Sequence, residues 1–184
     1  MRYVEIEKKF AVSDPAPLRA RLEELGARPG TPVRQVDAYY NAPHRDFLDT
    51  EVISEWLRIR TEGSSGSVNF KRFHPLDAVA KTHADEFETG VADVEAVRRL
   101  LTALDFRPLV TVEKTRVTYR LDAVEVAFDQ VTGVGDFVEF EYKGAAADVA
   151  AATRWLDEFI TGLGVALGPP VARGYPHMLL GRAH

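Results

Sequence analysis

The chain contains no cysteine. That absence removes disulfide bridges, thiolate zinc centres and cysteine nucleophiles together, and a reducing, cytoplasmic setting is the location expected from it. No run approaches the roughly 18 consecutive apolar residues that a membrane helix needs, and the opening MRYVEIEKKF lacks the apolar centre of a signal peptide. No GxxxxGK[ST] loop, GxSxG elbow, SxxK or HExxH occurs, so a P-loop site, acyl-enzyme chemistry and a helical zinc-protease site lack their residues. His44, His74, His83, His177 and His184 are scattered without metal spacing; His83 stands out only because it shares a segment with Glu86. An excess of positive charge is missing too: 23 Lys and Arg against 28 Asp and Glu give a net charge of −5. No global field therefore draws the chain onto nucleic acid, although a local basic cavity could hold a small polyanion.

What is present suits an ordinary globular fold. The 184 residues, 46% hydrophobic and 28% charged, are expected to form one domain over 1–184 with a core of its own. There is no 20–50-residue repeat, and the loosest stretches are Glu62 to Ser67 and Gly168 to Gly174. Three segments carry an apolar stripe of helical period: Pro15 to Leu25 with Ser13 or Asp14 as cap and Gly26 as stop, Val94 to Leu104 after Asp93, and Asp148 to Leu163. Most of the rest alternates with period two. Strands are predicted over Arg2 to Phe10, Val33 to Tyr40, Glu55 to Thr61, Ser67 to Phe73, Thr82 to Glu88, Val110 to Tyr119, Val124 to Val131 and Asp136 to Tyr142. Short turns link them, which favours antiparallel hairpins, so the class is α+β with about eight strands in a sheet or barrel.

The charges concentrate on one face of these strands. Val4 and Ile6 alternate with Glu5, Glu7 and Lys9; Leu57 and Ile59 with Arg58 and Arg60; Phe87 with Glu86 and Glu88; Val138 and Phe140 with Glu139 and Glu141. Lys114 and Arg116 repeat the pattern, and Lys71 and Asp129 extend it. Like charges doubled at i and i+2 repel unless a counter-ion lies between them, so doubled acids suggest a metal and doubled bases a polyanion. The helices need the apolar strand face, which leaves the charged face to line the inside of a closed sheet. Eight strands enclose one small ligand. Paired Glu oxygens suit Mg²⁺ or Mn²⁺, and Arg and Lys suit phosphate oxygens.

The ordered set Glu5-x-Glu7-x-Lys9, Leu57-Arg58-Ile59-Arg60, Phe70-Lys71, Glu86-x-Glu88, Lys114-x-Arg116, Phe128-Asp129 and Phe137-Val138-Glu139-Phe140-Glu141 resembles the CYTH superfamily, the triphosphate tunnel metalloenzymes. The likeness runs from Val4 to about Gly164 and looks closest to the branch of class IV adenylate cyclases and thiamine triphosphatases. It implies an eight-stranded antiparallel tunnel with inward charges and helices outside. By that resemblance Glu5, Glu7, Glu139 and Glu141 would hold Mg²⁺ or Mn²⁺, with Asp129, Glu86 and Glu88 as further acidic ligands or supporting partners. Lys9, Arg58, Arg60, Lys71, Lys114 and Arg116 would bind phosphates, and a second metal or a carboxylate among Glu5, Glu7 and Asp129 would activate water for hydrolysis.

Three functions follow as expectations. They are a triphosphatase acting on tripolyphosphate, thiamine triphosphate or ATP; a class IV adenylate cyclase; and a non-catalytic polyphosphate-binding module. The chain would act as a monomer or homodimer without nucleic-acid or membrane partners. Tyr39 or Tyr40 is expected to pack under a helix with its hydroxyl bonded, Trp56 and Trp155 to be core or wall residues, and Arg173 and His177 to sit at the tunnel rim. A short last helix is expected near Tyr175.

Overall fold

The computed structural model describes residues 3–181; Arg2 and His184, both named above, lie outside the described residues. Among these the chain runs β1 (Val4–Glu5), β2 (Glu7–Ala11), α1 (Ala16–Glu24), β3 (Val33–Asn41), β4 (Glu55–Glu62), β5 (Ser65–His74), β6 (His83–Val91), α2 (Val94–Ala103), β7 (Arg107–Leu121), β8 (Val124–Val131), β9 (Gly135–Tyr142), α3 (Val149–Gly162) and α4 (Tyr175–Leu179). The expected class, an antiparallel barrel with helices outside, is what forms.

The strand count is corrected from eight to nine. All nine join one antiparallel sheet in the order β1-β6-β5-β4-β3-β7-β8-β9-β2, so the two edge strands are neighbours in sequence. The single strand expected over residues 2–10 changes partner at Ile6. Val4 and Glu5 pair with Asp85 and Ala84, whereas Glu7 to Ala11 pair with Glu141 to Phe137. At the seam Glu86 N donates to Tyr3 O at 2.8 Å and Tyr142 N to Ile6 O at 2.9 Å. One extended segment thus bonds to both edge strands and nearly closes the sheet, leaving β6 beyond Glu86 without a partner strand on that side.

The stretch Glu62 to Ser67, expected to be loose, is a tight hairpin in which Glu62 pairs with Ser65. Gly63, at φ +55°, supplies the left-handed residue that such a turn needs. Asp93 and Asp148 cap α2 and α3 by accepting from Ala96 N at 2.9 Å and Ala151 N at 2.8 Å. Asp14 accepts from Ala16 N at 3.0 Å at the start of α1.

The helices cover the apolar outer face. Leu18 and Leu22 of α1 and Ala152 and Leu156 of α3 pack on Val124, Val126, Val138 and Phe140. Leu101 of α2 packs on Ala38, Tyr40 and Ile59. Truncating a fully buried side chain such as Leu156 to Ala costs about 2–5 kcal/mol in comparable cores. A third cluster lies inside the barrel: Tyr39, Trp56, Val112, Val131 and Phe137 close one end and meet Tyr175 of α4. Pro176 falls in the first turn of that short helix, where a missing N–H has no cost. The charged interior is therefore a cup with an apolar floor. No described helix is long and apolar enough to cross a membrane.

Candidate active site

Above the floor, inward side chains enclose a cavity of about 220 Å³ lined by Glu5, Glu7, Lys9, Arg58, Arg60, Lys71, Glu86, Glu88, Lys114, Arg116, Glu139 and Glu141. All the charged residues expected inside line it except Asp129. Two further cavities of about 340 Å³ each adjoin the first, one sharing Arg60, Glu88, Arg116 and Glu125 with it and the other Glu5, Glu86, Glu88, Glu141 and Lys143, so the mouth lies on the side of Glu88.

Strand register sorts the acids into two groups. Oxygens of Glu5, Glu86 and Glu141 lie within 4.8 Å of one another. These carboxylates come from β1, β6 and β9, so they meet only because the seam brings β1 beside β6 and β2 beside β9. Three hard oxygen donors converging in a polar cavity fit Mg²⁺ or Mn²⁺. Glu7 lies directly opposite Glu141 in the β2–β9 pair and faces the same cavity, but stands outside that group of three. Lys71 forms ion pairs with Glu5 and with Glu86, the latter at 3.4 Å, and Lys143 pairs with Glu141 from the rim. Burial, reinforced by Glu7, Glu86 and Glu141, pushes the Glu5 carboxyl up to about 8 against the pull of Lys71. Glu141 is raised too, again mainly by burial. Two ammonium groups, Lys71 inside and Lys143 at the rim, do not balance the four carboxylates of Glu5, Glu7, Glu86 and Glu141.

The second group of acids serves the bases. Asp37 accepts from Arg60 Nε and Nη2 at 2.7 Å each, and Arg58 stands 3.5 Å away. Although burial opposes it, the Arg60 hydrogen bonds and the Arg58 and Arg60 charges hold Asp37 down to about 2. Asp129 accepts from Lys114 Nζ at 2.8 Å, Arg116 Nε at 2.6 Å and the Tyr175 hydroxyl at 2.9 Å. Burial and the adjacent Arg116 charge lower Lys114 to about 8 despite Asp129. Glu139 pairs with Arg116 and, at 3.2 Å, with Lys9, whose charges overcome burial and keep it well below the usual carboxylate range. Two buried carboxylates, Asp37 and Asp129, therefore fix Arg60, Lys114 and Arg116 as a rigid basic wall.

This placement differs from the sequence-based set in several respects. Glu5, Glu86 and Glu141 are brought together, whereas Glu139 and Asp129 stand among cations, and Asp129 is 2% exposed and does not line the cavity. Glu88 accepts from Ser67 Oγ at 2.7 Å near the mouth. His177 is not at the rim; it is buried, its ring 4.8 Å from that of Trp56, and its Nδ1 accepts from Gly174 N at 3.1 Å. Burial lowers it to about 4. His83 points away from Glu86 and stacks on His74 outside the barrel. The two tyrosines separate: Tyr40 packs under α2, while Tyr39 lines the cavity beside Arg58. Trp56 is a wall residue, and Trp155 stacks on Phe159 outside.

Asp37, Asn69 and Tyr175 were missed as site residues. Asp37 and Asn69 share the inward parity of Tyr39 and Lys71, which was the available signal; Asn69 Nδ2 donates to Glu86 at 2.6 Å. Tyr175 comes from outside the strands and left no periodic trace.

Comparison with known proteins agrees with this architecture. A Methanocaldococcus jannaschii protein named as a candidate adenylate cyclase is 30% identical over 157 residues, covering 85% of this chain and 86% of the relative. A solved structure from Pyrococcus horikoshii is 26% identical, superposes with a TM-score of 0.76, and covers 96% of this chain and 98% of its own. A candidate adenylyl cyclase from Hippeastrum, described as having a dominant triphosphatase activity, shares the fold at 15% identity and a TM-score of 0.64, covering 98% and 97% of the two chains. The CYTH domain model matches residues 4–175, and with the seam-closed barrel and its inward charges this chain belongs to the CYTH domain family.

Proposed function

We propose that the chain is a divalent-metal-dependent triphosphatase. The observation that carries this reading is the juxtaposition, in one cup, of the Glu5, Glu86 and Glu141 cluster with a basic wall locked by Asp37 and Asp129. Glu5, Glu86 and Glu141 would hold Mg²⁺ or Mn²⁺, which supplies charge neutralisation on phosphate oxygens as the bond breaks. Arg58, Lys71 and Lys9 face the cavity and would orient the phosphate chain, while the fixed Arg60, Lys114 and Arg116 add a preorganised positive field. Glu7 faces the cavity beside the cluster and would accept a proton from the water that attacks the terminal phosphorus. Asp129 is buried among Lys114, Arg116 and Tyr175 and is assigned to positioning instead.

A class IV adenylate cyclase is the second reading, supported by the name of the Methanocaldococcus relative. Incubation with tripolyphosphate and, separately, ATP, each with Mg²⁺ and Mn²⁺, decides between them. Orthophosphate from tripolyphosphate is expected. Cyclic AMP with pyrophosphate would select the cyclase, and tight binding without turnover would select a polyphosphate-binding module.

A further inference from the structure

Lys71 differs from the other inward bases in the partners it has. Arg60 is matched to Asp37, and Lys114 and Arg116 to Asp129, carboxylates that stand apart from the three-acid cluster. Lys71 instead pairs with Glu5 and Glu86, two members of that cluster. Lys143 also touches the cluster, through Glu141, but its side chain is 47% exposed and water can replace the carboxylate. The Lys71 side chain is only 14% exposed, so its ammonium cannot leave the acids for bulk water. Glu86 has independent support, because Asn69 donates to the same oxygen at 2.6 Å.

We propose that Lys71 is the resident counter-ion of the acid cluster, displaced when a divalent cation binds and delivered to the phosphate chain, so that cation and polyanion binding are coupled through this one side chain. The inference rests on the metal-dependent reading above. The ammonium and a divalent cation would compete for the same oxygens of Glu5 and Glu86, and like charges sharing those oxygens repel. A displaced ammonium needs an anion inside the cup. Glu139 is already held by Lys9 and Arg116, Asp129 by three donors and Glu88 by Ser67, and Glu7, which also acts on Lys71, is the proton acceptor of the proposed reaction, so the incoming phosphate oxygens are the partner left for the ammonium. The long, flexible stem of lysine suits such a transfer, whereas the fork-matched arginines are built to stay. A cation arriving without polyphosphate must strand the ammonium, and a polyphosphate arriving without a cation must pull it from the acids. Each ligand thus removes the cost borne by the other, and the coupling is reciprocal.

The test measures binding in the whole protein, by calorimetry, with Mn²⁺ alone and with Mn²⁺ plus an imido-bridged tripolyphosphate analogue that resists hydrolysis. Lys71→Met should tighten Mn²⁺ binding in the absence of the analogue by on the order of tenfold, and should shrink the enhancement that the analogue gives to wild type. Lys71→Arg, which keeps the charge, should stay within about threefold of wild type. Arg58→Met removes a positive charge from the same cavity without touching the cluster, and should tighten Mn²⁺ by less than about twofold. Unchanged or weaker Mn²⁺ binding in Lys71→Met, or equal tightening in Arg58→Met, overturns the proposal while leaving the metal-dependent reading intact. If wild type binds neither Mn²⁺ nor the analogue, that reading fails and the inference fails with it.

Discussion

Arg60 grips Asp37 through two hydrogen bonds of 2.7 Å each, in a pair where the carboxylate side chain is 1% exposed. A fork-to-carboxylate match this deep fixes a guanidinium whose other face meets the cavity. Breaking a buried pair by neutralising one partner leaves the other charge uncompensated, so Asp37→Asn should lose about 3 kcal/mol of stability, read from urea unfolding at pH 7. The pH dependence has a definite sign. Asp37 sits at about 2 in the folded chain against an ordinary 3.8, so its contribution is complete above the ordinary value and is lost as pH falls toward 2. The gap between wild type and Asp37→Asn should therefore persist at pH 5 and narrow below about pH 4. An unfolding midpoint unaffected by the substitution would remove Asp37 from its structural role.

Asp129 provides a sharper contrast with the sequence. Its motif position suggested a metal ligand or base, yet it accepts hydrogen bonds from Lys114, Arg116 and Tyr175 and stays out of the cavity lining. Asp129→Asn should destabilise the fold by about 3 kcal/mol and free Tyr175, while Mn²⁺ affinity stays within about threefold. A loss of Mn²⁺ affinity in the range of 10–100-fold, the usual effect of disturbing a metal's surroundings, would return Asp129 to the metal site.

Alternation across the pleat revealed which residues face inward, because the two faces of each strand differ sharply in polarity. The break at Ile6 was invisible for the same reason: Glu5 and Glu7 keep their parity through it while the hydrogen-bond partner changes from β6 to β9. Parity gives the face but not the level along the barrel. Glu139 and Glu141 look equivalent in sequence, yet Glu139 meets Arg116 and Lys9, and Glu141 meets Glu5 and Glu86. Those partners are set by strand registers between distant segments. His177 illustrates the other gap, since its burial against Trp56 arises from tertiary packing of α4 that no local pattern encodes.

Substitutions in the cup should separate chemistry from binding. Glu5→Gln and Glu141→Gln should each lower kcat by about 100-fold or more, because both remove a carboxylate from the proposed metal site. Arg58→Ala should chiefly raise KM, since Arg58 faces the cavity without belonging to that cluster. Lys8 pairs with Asp157 and Arg72 with Glu55, away from the cavity lining, so Lys8→Ala and Arg72→Ala should keep kcat/KM within about twofold of wild type. Full activity in Glu5→Gln together with Arg58→Ala would show that the reaction occurs elsewhere.

Metal uptake should release a proton. Burial and its acidic neighbours raise Glu5 to about 8 against the pull of Lys71, so at pH 7 the metal-free cluster shares a proton beside the Lys71 ammonium, and a cation must expel that proton to reach the carboxylate oxygens. Affinity for Mn²⁺ should accordingly rise with pH, by up to about tenfold per unit while the group is protonated, and level off above about pH 8. Calorimetry in two buffers of different ionisation enthalpy counts the proton directly, and Glu5→Gln should flatten the slope because its amide has no proton to lose. Equal Mn²⁺ affinities at pH 6 and pH 8 in wild type would mean that the cluster carries no proton beside the Lys71 ammonium.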